Sequence, residues 1–406
     1  MKVWVNDLKP GMVLDADVKG TDGRLLLPAG TEVGENHLRV LNIWGVSEAD
    51  IRPDSIGEAS VPAPNLLARA EAHAESLFAH ADLSIVPMEQ LKRACILYYV
   101  NMLAAGDSLP SLPQPVLKSV ELPAAPLFAD AEAFLHNDTQ LGVFPEIYRR
   151  IVEALNNPAS SSSSLADIIA QDPGLSASLL KLVNSALYGY SQPVDSLSRA
   201  VALVGTQGLT QLALGVTVMN TFRNATDRQA MAAIRCHCVA TAAICRILGV
   251  QVAGISQDLC FVSGLLHGVG RMIMLRKASE ASETARRMSL ANGIPLDAAQ
   301  RRVFGFDEGN AARTLFRAWH FPEDIITAST GLNEPAVRDH TEAAICAMGS
   351  VLATAMHYGT GGNGMVHTIP EGAWDRLGLP ESSLATTLAQ AGRQVDDLLN
   401  VFLERI

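Results

Sequence analysis

Asp172-Pro173-Gly174-Leu175-Ser176-Ala177-Ser178-Leu179-Leu180-Lys181-Leu182-Val183-Asn184-Ser185 reads as a helix with both ends marked. Asp172 is a capping residue, and Pro173 suits a first helical turn, where its missing N–H has no intrahelical partner anyway. Leu175, Leu179, Leu180 and Val183 recur at helical spacing and make one apolar face. Lys181 falls outside it, as a surface or ion-pair residue. Upstream, Ile147, Ile151, Ala154 and Leu155 make a second face and Leu165, Ile168 and Ile169 a third, which the serine run 160–164 caps. Downstream, Ser196 and Ser198 introduce a helix over Leu197–Val204 that Gly205 stops. Apolar helical stretches broken by Gly, Pro or Asn then continue to Ile406. From about residue 130 the pattern predicts an all-α domain.

With 406 residues the chain has room for two or three domains. Its 48% hydrophobic and 18% charged residues fit a globular protein with a large core and exclude a disordered one. A net charge of −11 repels phosphate backbones unless a basic patch is segregated from it. The densest basic clusters, Arg271 with Arg276-Lys277 and Arg286-Arg287, are short and mixed with Glu, so no nucleic-acid partner is expected. Cysteines at 95, 236, 238, 245, 260 and 346 show no regular pairing and sit mostly in apolar helical sequence, which predicts reduced thiols. Residues 1–14 lack the basic-then-apolar order of a signal peptide, and no uncharged apolar run reaches the roughly 18–20 residues that span a bilayer. The expectation is a cytoplasmic protein with no membrane partner.

Residues 1–55 have a different texture. Val3-Trp4-Val5, Met12-Val13-Leu14 and Leu25-Leu26-Leu27 are short β-prone runs separated by Lys9-Pro10-Gly11, Thr21-Asp22-Gly23 and Pro28-Ala29-Gly30, with Asp-Gly a hairpin signal. A short helix from Asn36 to Trp44 and a last strand toward Ile51 complete a small β-rich module. Residues 56–128 read as a connector with helices near 65–81 and 88–105. A stretch carrying Pro110, Pro113, Pro115, Pro123 and Pro126 follows, as a linker or an extended strap across the next domain. The helical domain then occupies 129–340, with C-terminal helices over 341–406 packing on it.

The stretch from Phe144-Pro145 through Gln171-Asp172-Pro173-Gly174 to Asn184-Ser185-Ala186-Leu187-Tyr188-Gly189, continued by Ser196-Leu197 and Ala200-Val201, closely resembles the HDOD family. The N-terminal pattern around Pro10-Gly11-Met12 and Leu27-Pro28-Ala29-Gly30 resembles a small domain found ahead of bacterial HD-type signalling hydrolases. The HDOD resemblance implies a mainly α fold related to HD phosphohydrolases and a regulatory role in bacterial signalling. Active HD relatives use a first His, an adjacent His-Asp pair and a final Asp. Carried onto this chain, these are His237, His267 with Gly268, and Ser350. Both imidazoles remain and both carboxylates are replaced. Glu308, in Phe304-Gly305-Phe306-Asp307-Glu308, stands where relatives often carry His, and a histidine pair expected after Trp319-His320-Phe321-Pro322 is absent.

The run Leu265-Leu266-His267-Gly268-Val269-Gly270 therefore closes an apolar helix with a metal motif short of its carboxylate. Two neutral imidazoles leave the charge of a divalent ion uncompensated, so no cofactor and no catalysis are expected. The alternative reading is a metal-dependent phosphohydrolase with His237, His267 and Glu308 as its ligands. A second alternative is a sensor of a small molecule such as a cyclic dinucleotide. Cys236 and Cys238 flank His237, but positions two apart on a helix point in different directions and do not chelate one ion. Asn184, Ser185 and Tyr188 read equally well as a binding cleft or as groups satisfying a helix break. Gly205, Gly208 and Gly215 do not form a phosphate loop, since no strand precedes them and no Lys-Ser/Thr follows. The leading expectation is a non-enzymatic module whose output passes in trans to a signalling protein partner, within a two-component or cyclic-dinucleotide pathway.

Overall fold

Helix ends fall where the sequence marks them. In the computed structural model the Asp172 carboxylate accepts from the Leu175 amide at 2.9 Å, the Ser196 hydroxyl accepts from the Arg199 amide, and Gly205 separates two helices at φ +86°. The structure describes residues 2–4, 8, 10–19, 25–34, 37–38, 41, 46, 48–52, 64–113, 123–136, 146–156, 162–222, 227–332, 335–359, 362 and 364–402. The expected Asp22-Gly23 turn, most of the helix from Asn36 to Trp44, and Phe144-Pro145 lie outside these residues.

Two compact units emerge. One comprises Met1–Ala74, Arg93–Leu109 and Pro380–Thr386; the other comprises Glu75–Lys92, Pro110–Leu379 and Thr387–Ile406. The 56–128 stretch, read as one connector, is divided between them, because its helices α1 (Pro64–Leu77) and α2 (Val86–Ala104) each contribute to both.

In the first unit, β1 (Lys2–Trp4) pairs antiparallel with β4 (Glu48–Asp50), placing Val3 opposite Ala49. β2 (Val18–Lys19) pairs antiparallel with β3 (Leu25–Leu27) across a register shift. Met12-Val13-Leu14, expected as a strand, makes only isolated bridges from Val13 to Glu32 and from Leu14 to Ile51. Met12, Leu14, Val18, Val33, Leu41 and Ile51 are buried together as a small core of their own. Elsewhere in this unit the ring of His73 on α1 meets that of Tyr99 on α2 edge-on at 4.5 Å.

The second unit is helical. It runs through α3 (Ala131–Leu135), α4 (Glu146–Asn156), α5 (Ser162–Ala170), α6 (Pro173–Val183), α7 (Leu197–Val204), α8 (Thr206–Thr221), α9 (Arg228–Gln251) and α10 (Gln257–Leu266). Next come α11 (Val269–Lys277), α12 (Ser279–Asn292), α13 (Leu296–Phe304), α14 (Glu308–Ala318), α15 (Glu323–Thr330), α16 (Ala336–Asp339), α17 (Thr341–Ala355) and α18 (Ala373–Leu377). The last helix, α19 (Ser382–Phe402), ends in this unit. Helices α9, α10 and α17 pack on one another at its centre. Just past the last of the prolines, Leu127 and Phe128 donate their amides to the carbonyls of Val303 and Phe304 at the end of α13. Phe128 joins Phe134, Phe304 and Phe306 in an aromatic cluster.

Among the described residues two stretches, Arg228–Gln251 and Gln257–Lys277, are long and apolar enough to cross a membrane. Each carries a few charged side chains, so neither is an uncharged run. In the fold both are largely buried in protein, and the second is broken at His267-Gly268.

Glycines allow this closeness. A Cβ on Gly264 of α10 would stand 2.7 Å from the backbone of Ala242 on α9, and one on Gly270 would stand 1.8 Å from the Glu308 carbonyl oxygen. Backbone meets backbone at both places, so no side chain can yield. An alanine in a helix interior normally gains about 1 kcal/mol over glycine. Gly264→Ala should reverse that sign and destabilise the protein by about 1–3 kcal/mol or more through overpacking, read from urea unfolding midpoints.

Candidate functional site

Helix α10 ends at Leu266 and leaves His267 as its C-cap. The His267 Nδ1 lies 2.7 Å from the Gly264 carbonyl oxygen. A carbonyl only accepts, so Nδ1 carries the proton and Nε2 keeps a bare lone pair. Nε2 is buried and has no hydrogen-bond partner among the described residues. Helix α9 brings His237 beside it, the two rings edge-on with centroids 5.2 Å apart. The His237 Nε2 lies 3.1 Å from Ser350 Oγ on α17. Three of the four positions carried over from the HD motif thus meet through side chains, and Gly268 follows directly on His267.

Gly268 is closed as well as empty. A Cβ there would stand 2.5 Å from the Sγ of Cys238, a buried residue of α9. Cys236, two residues earlier, is only partly buried, so the two cysteines leave the helix in different directions. The space beside the missing carboxylate is filled by a thiol that burial pushes up to about 12, keeping it neutral.

Glu308 begins α14 and faces Arg271 on α11, across the contact that Gly270 permits. Arg271 donates Nε to Oε2 at 2.7 Å and Nη2 to Oε1 at 2.5 Å, a two-pronged pair with both side chains largely buried. Gln300 closes the arrangement: its Nε2 donates to Glu308 Oε2 at 3.1 Å, and its Oε1 accepts from the Glu308 amide at 3.0 Å. Burial pushes the Glu308 carboxyl up, but the Arg271 charge and the hydrogen bonds of Arg271 and Gln300 outweigh it and leave the carboxyl below its usual range.

The histidines are held neutral. Burial pushes His267 down to about 4, with the Arg271 charge adding to the effect. Burial, then the neighbouring His267 and Arg271, hold His237 well below the usual histidine range.

An HD-type metal centre would require anionic oxygens beside these imidazoles. The residues present do not fit that group. The two carboxylate positions are Gly268 and Ser350, and Glu308 already binds a cation of the chain itself. Among the described residues no group of three or more His, Cys, Asp or Glu side chains is arranged to hold a metal. Glu308, a ligand only in the alternative metal-dependent reading, is brought to the site but committed to Arg271.

His267, Arg271, Glu308 and Ser350 line a cleft of about 480 Å³. Asn184, Ser185 and Tyr188 do not join it. The Asn184 side chain donates to the carbonyls of Leu180 and Val194 and accepts from the Val194 amide, and the Ser185 hydroxyl donates to the Leu182 carbonyl. Tyr188 donates to Asp258 Oδ1 at 2.9 Å, and the same oxygen accepts from Arg246, whose guanidinium lies 3.9 Å over the Tyr188 ring. Sequence reasoning passed over Arg271 as part of a solvated basic cluster. Its signal was Glu308, the carboxylate that the resemblance placed at this centre, since a buried carboxylate requires a partner.

The HDOD domain model matches residues 141–335, and the chain carries an HDOD domain there. An uncharacterized protein of Treponema pallidum is 26% identical over 188 residues, covering 45% of this chain and 36% of the relative. The chain thus spans little more than a third of that relative's length. Among solved structures, an HDOD domain protein of unknown function from Geobacter sulfurreducens is similar at a TM-score of 0.54 and 19% identity, over 78% of this chain and 99% of that one. A protein of Shewanella amazonensis SB2B, provisionally described as a phosphohydrolase, gives 0.53 and 20%, over 66% and 97%. One of Marinobacter aquaeolei VT8, provisionally described as a signal transduction protein, gives 0.51 and 18%, over 81% and 68%. At these identities the structures establish the shared fold.

Two outcomes follow from the packing and the charge. Gly268→Ala should destabilise the protein by about 1–3 kcal/mol, and adding Cys238→Ala should recover part of the loss, measured as a double-mutant cycle in urea. A base whose pKa falls from 6.5 unfolded to about 4 folded favours the fold at neutral pH by about 3 kcal/mol. That contribution is complete above pH 6.5 and is lost as pH falls toward 4, because the unfolded chain then binds the proton first. Unfolding midpoints should drop over this window, and His267→Asn, whose amide can still reach the Gly264 carbonyl, should show a shallower drop.

Proposed function

We propose that this protein is a regulatory module of bacterial signalling that acts by binding, with the degenerate HD-type centre serving as structure. One observation carries the reading. The one carboxylate at the centre, Glu308, is already paired by Arg271, and the place beside Gly268 is occupied by Cys238, so neither position offers an anionic ligand. The HDOD domain and the neighbour described as a signal transduction protein support a signalling context. In this reading the protein is cytoplasmic, engages neither nucleic acid nor membrane, and passes its output to a protein partner of a two-component or cyclic-dinucleotide pathway.

The test uses the full chain, purified and exposed to Mn²⁺ or Zn²⁺. Metal analysis should give well under one equivalent, and nucleotides and cyclic dinucleotides should release no phosphate. Gly268→Asp should gain no turnover, because one carboxylate neither frees Glu308 nor replaces Ser350. Stoichiometric metal with metal-dependent phosphate release, in the parent or in that single variant, would overturn the reading.

A further inference from the structure

The cleft beside the HD-type centre contains three arginines, and they differ in what holds them. Arg271 is bound by Glu308, and Arg301 is bound by both Asp297 and Asp307. Arg313, on α14, has no carboxylate partner among the described residues. Its Nε and Nη2 reach only the hydroxyl and carbonyl oxygens of Thr330, at 3.3 and 3.5 Å. A guanidinium is charged at every accessible pH and offers five donors in a fixed fork. Neutral oxygens at these distances leave most of that capacity unused.

Two further features bear on the cleft's contents. Leu296, Val351, Met365 and Val366 give it an apolar wall, which a bare inorganic anion would leave wet. His267 forms part of its lining and carries the buried, unpartnered Nε2 lone pair. At about 480 Å³ the space is the size of a small organic ligand.

We infer that the cleft binds a small organic anion, its phosphate or carboxylate on the fork of Arg313, its body against the apolar wall, and a hydroxyl or amine donor directed to His267. The inference rests on reading this domain as a binding module and assigns the binding to a different cation from the one that fills the HD-type centre. The formal charges of the lining cancel: Arg271, Arg301 and Arg313 stand against Asp297, Asp307 and Glu308. Recognition is therefore local to the fork and works against the chain's net charge of −11.

The experiment titrates the full chain by calorimetry with phenyl phosphate, benzoate, adenosine 5′-monophosphate and inorganic phosphate, and follows phosphate release in the same samples. At least one of the organic anions should bind one to one, and inorganic phosphate should bind about tenfold more weakly or not at all, for want of the wall contacts. Arg313→Gln should weaken the organic anion by about tenfold or more, and Arg313→Lys, which keeps the charge and loses the fork, should fall between. Arg286→Gln, which removes an exposed ion pair outside the cleft, should bind as the parent does. Melting curves without ligand establish that each variant is folded. No binding by any organic anion at millimolar concentration, or equal affinity in the parent and Arg313→Gln, overturns the inference. Metal-dependent phosphate release would overturn the non-enzymatic reading instead, and would leave the Arg313 comparison standing.

Discussion

Backbone-to-backbone approach of the central helices is the constraint on which the helical unit depends. Where Gly264 lies on Ala242, α9 and α10 come close enough for His237 and His267 to meet edge-on. Where Gly270 lies on the Glu308 carbonyl, α11 and α14 come close enough for Arg271 to reach a carboxylate 37 positions away. Neither approach tolerates a side-chain carbon. Dense interiors transmit strain, so a change at either glycine would move the polar centre as well as the packing.

Within that frame the centre has the character of a salt-bridged core. A buried guanidinium and carboxylate each cost several kcal/mol to desolvate, and only excellent geometry repays it. The two-pronged contact, with Gln300 occupying a further acceptor and the Glu308 amide, supplies that geometry. The histidines adapt to the same cation. They remain neutral because burial opposes their charge and Arg271 opposes it further. The polar side chains of this centre are thus accommodated as neutral or paired groups.

Local features of the fold were legible in the sequence, and long-range ones were not. Asp172, Ser196 and Gly205 could be read because caps and stops act within one helical turn. The meeting of His237, His267 and Ser350 was legible only through the family resemblance, since nothing in their spacing of 30 and 83 positions implies contact. The Arg271–Glu308 pair escaped because Arg271 reads as part of a solvated basic cluster and Glu308 as a candidate metal ligand, and no local signal joins positions 37 apart. Asn184 was ambiguous for a different reason. Its amide can line a cleft or bind backbone, and the return of Val194 to the end of α6, which no local signal announces, directs it to the backbone. In the N-terminal module the β-prone runs were visible. Which of them pair was decided by closure of the small core, and Met12-Val13-Leu14 kept only bridges.

The cation at the centre of this domain is part of the chain. A metal ion has to be acquired from the cell, competes with other metals for its place, and can be withdrawn by a chelator or by scarcity. Arg271 is delivered once, at translation, and cannot dissociate. The Arg271–Glu308 contact therefore depends on no diffusible cation and forms as the chain folds.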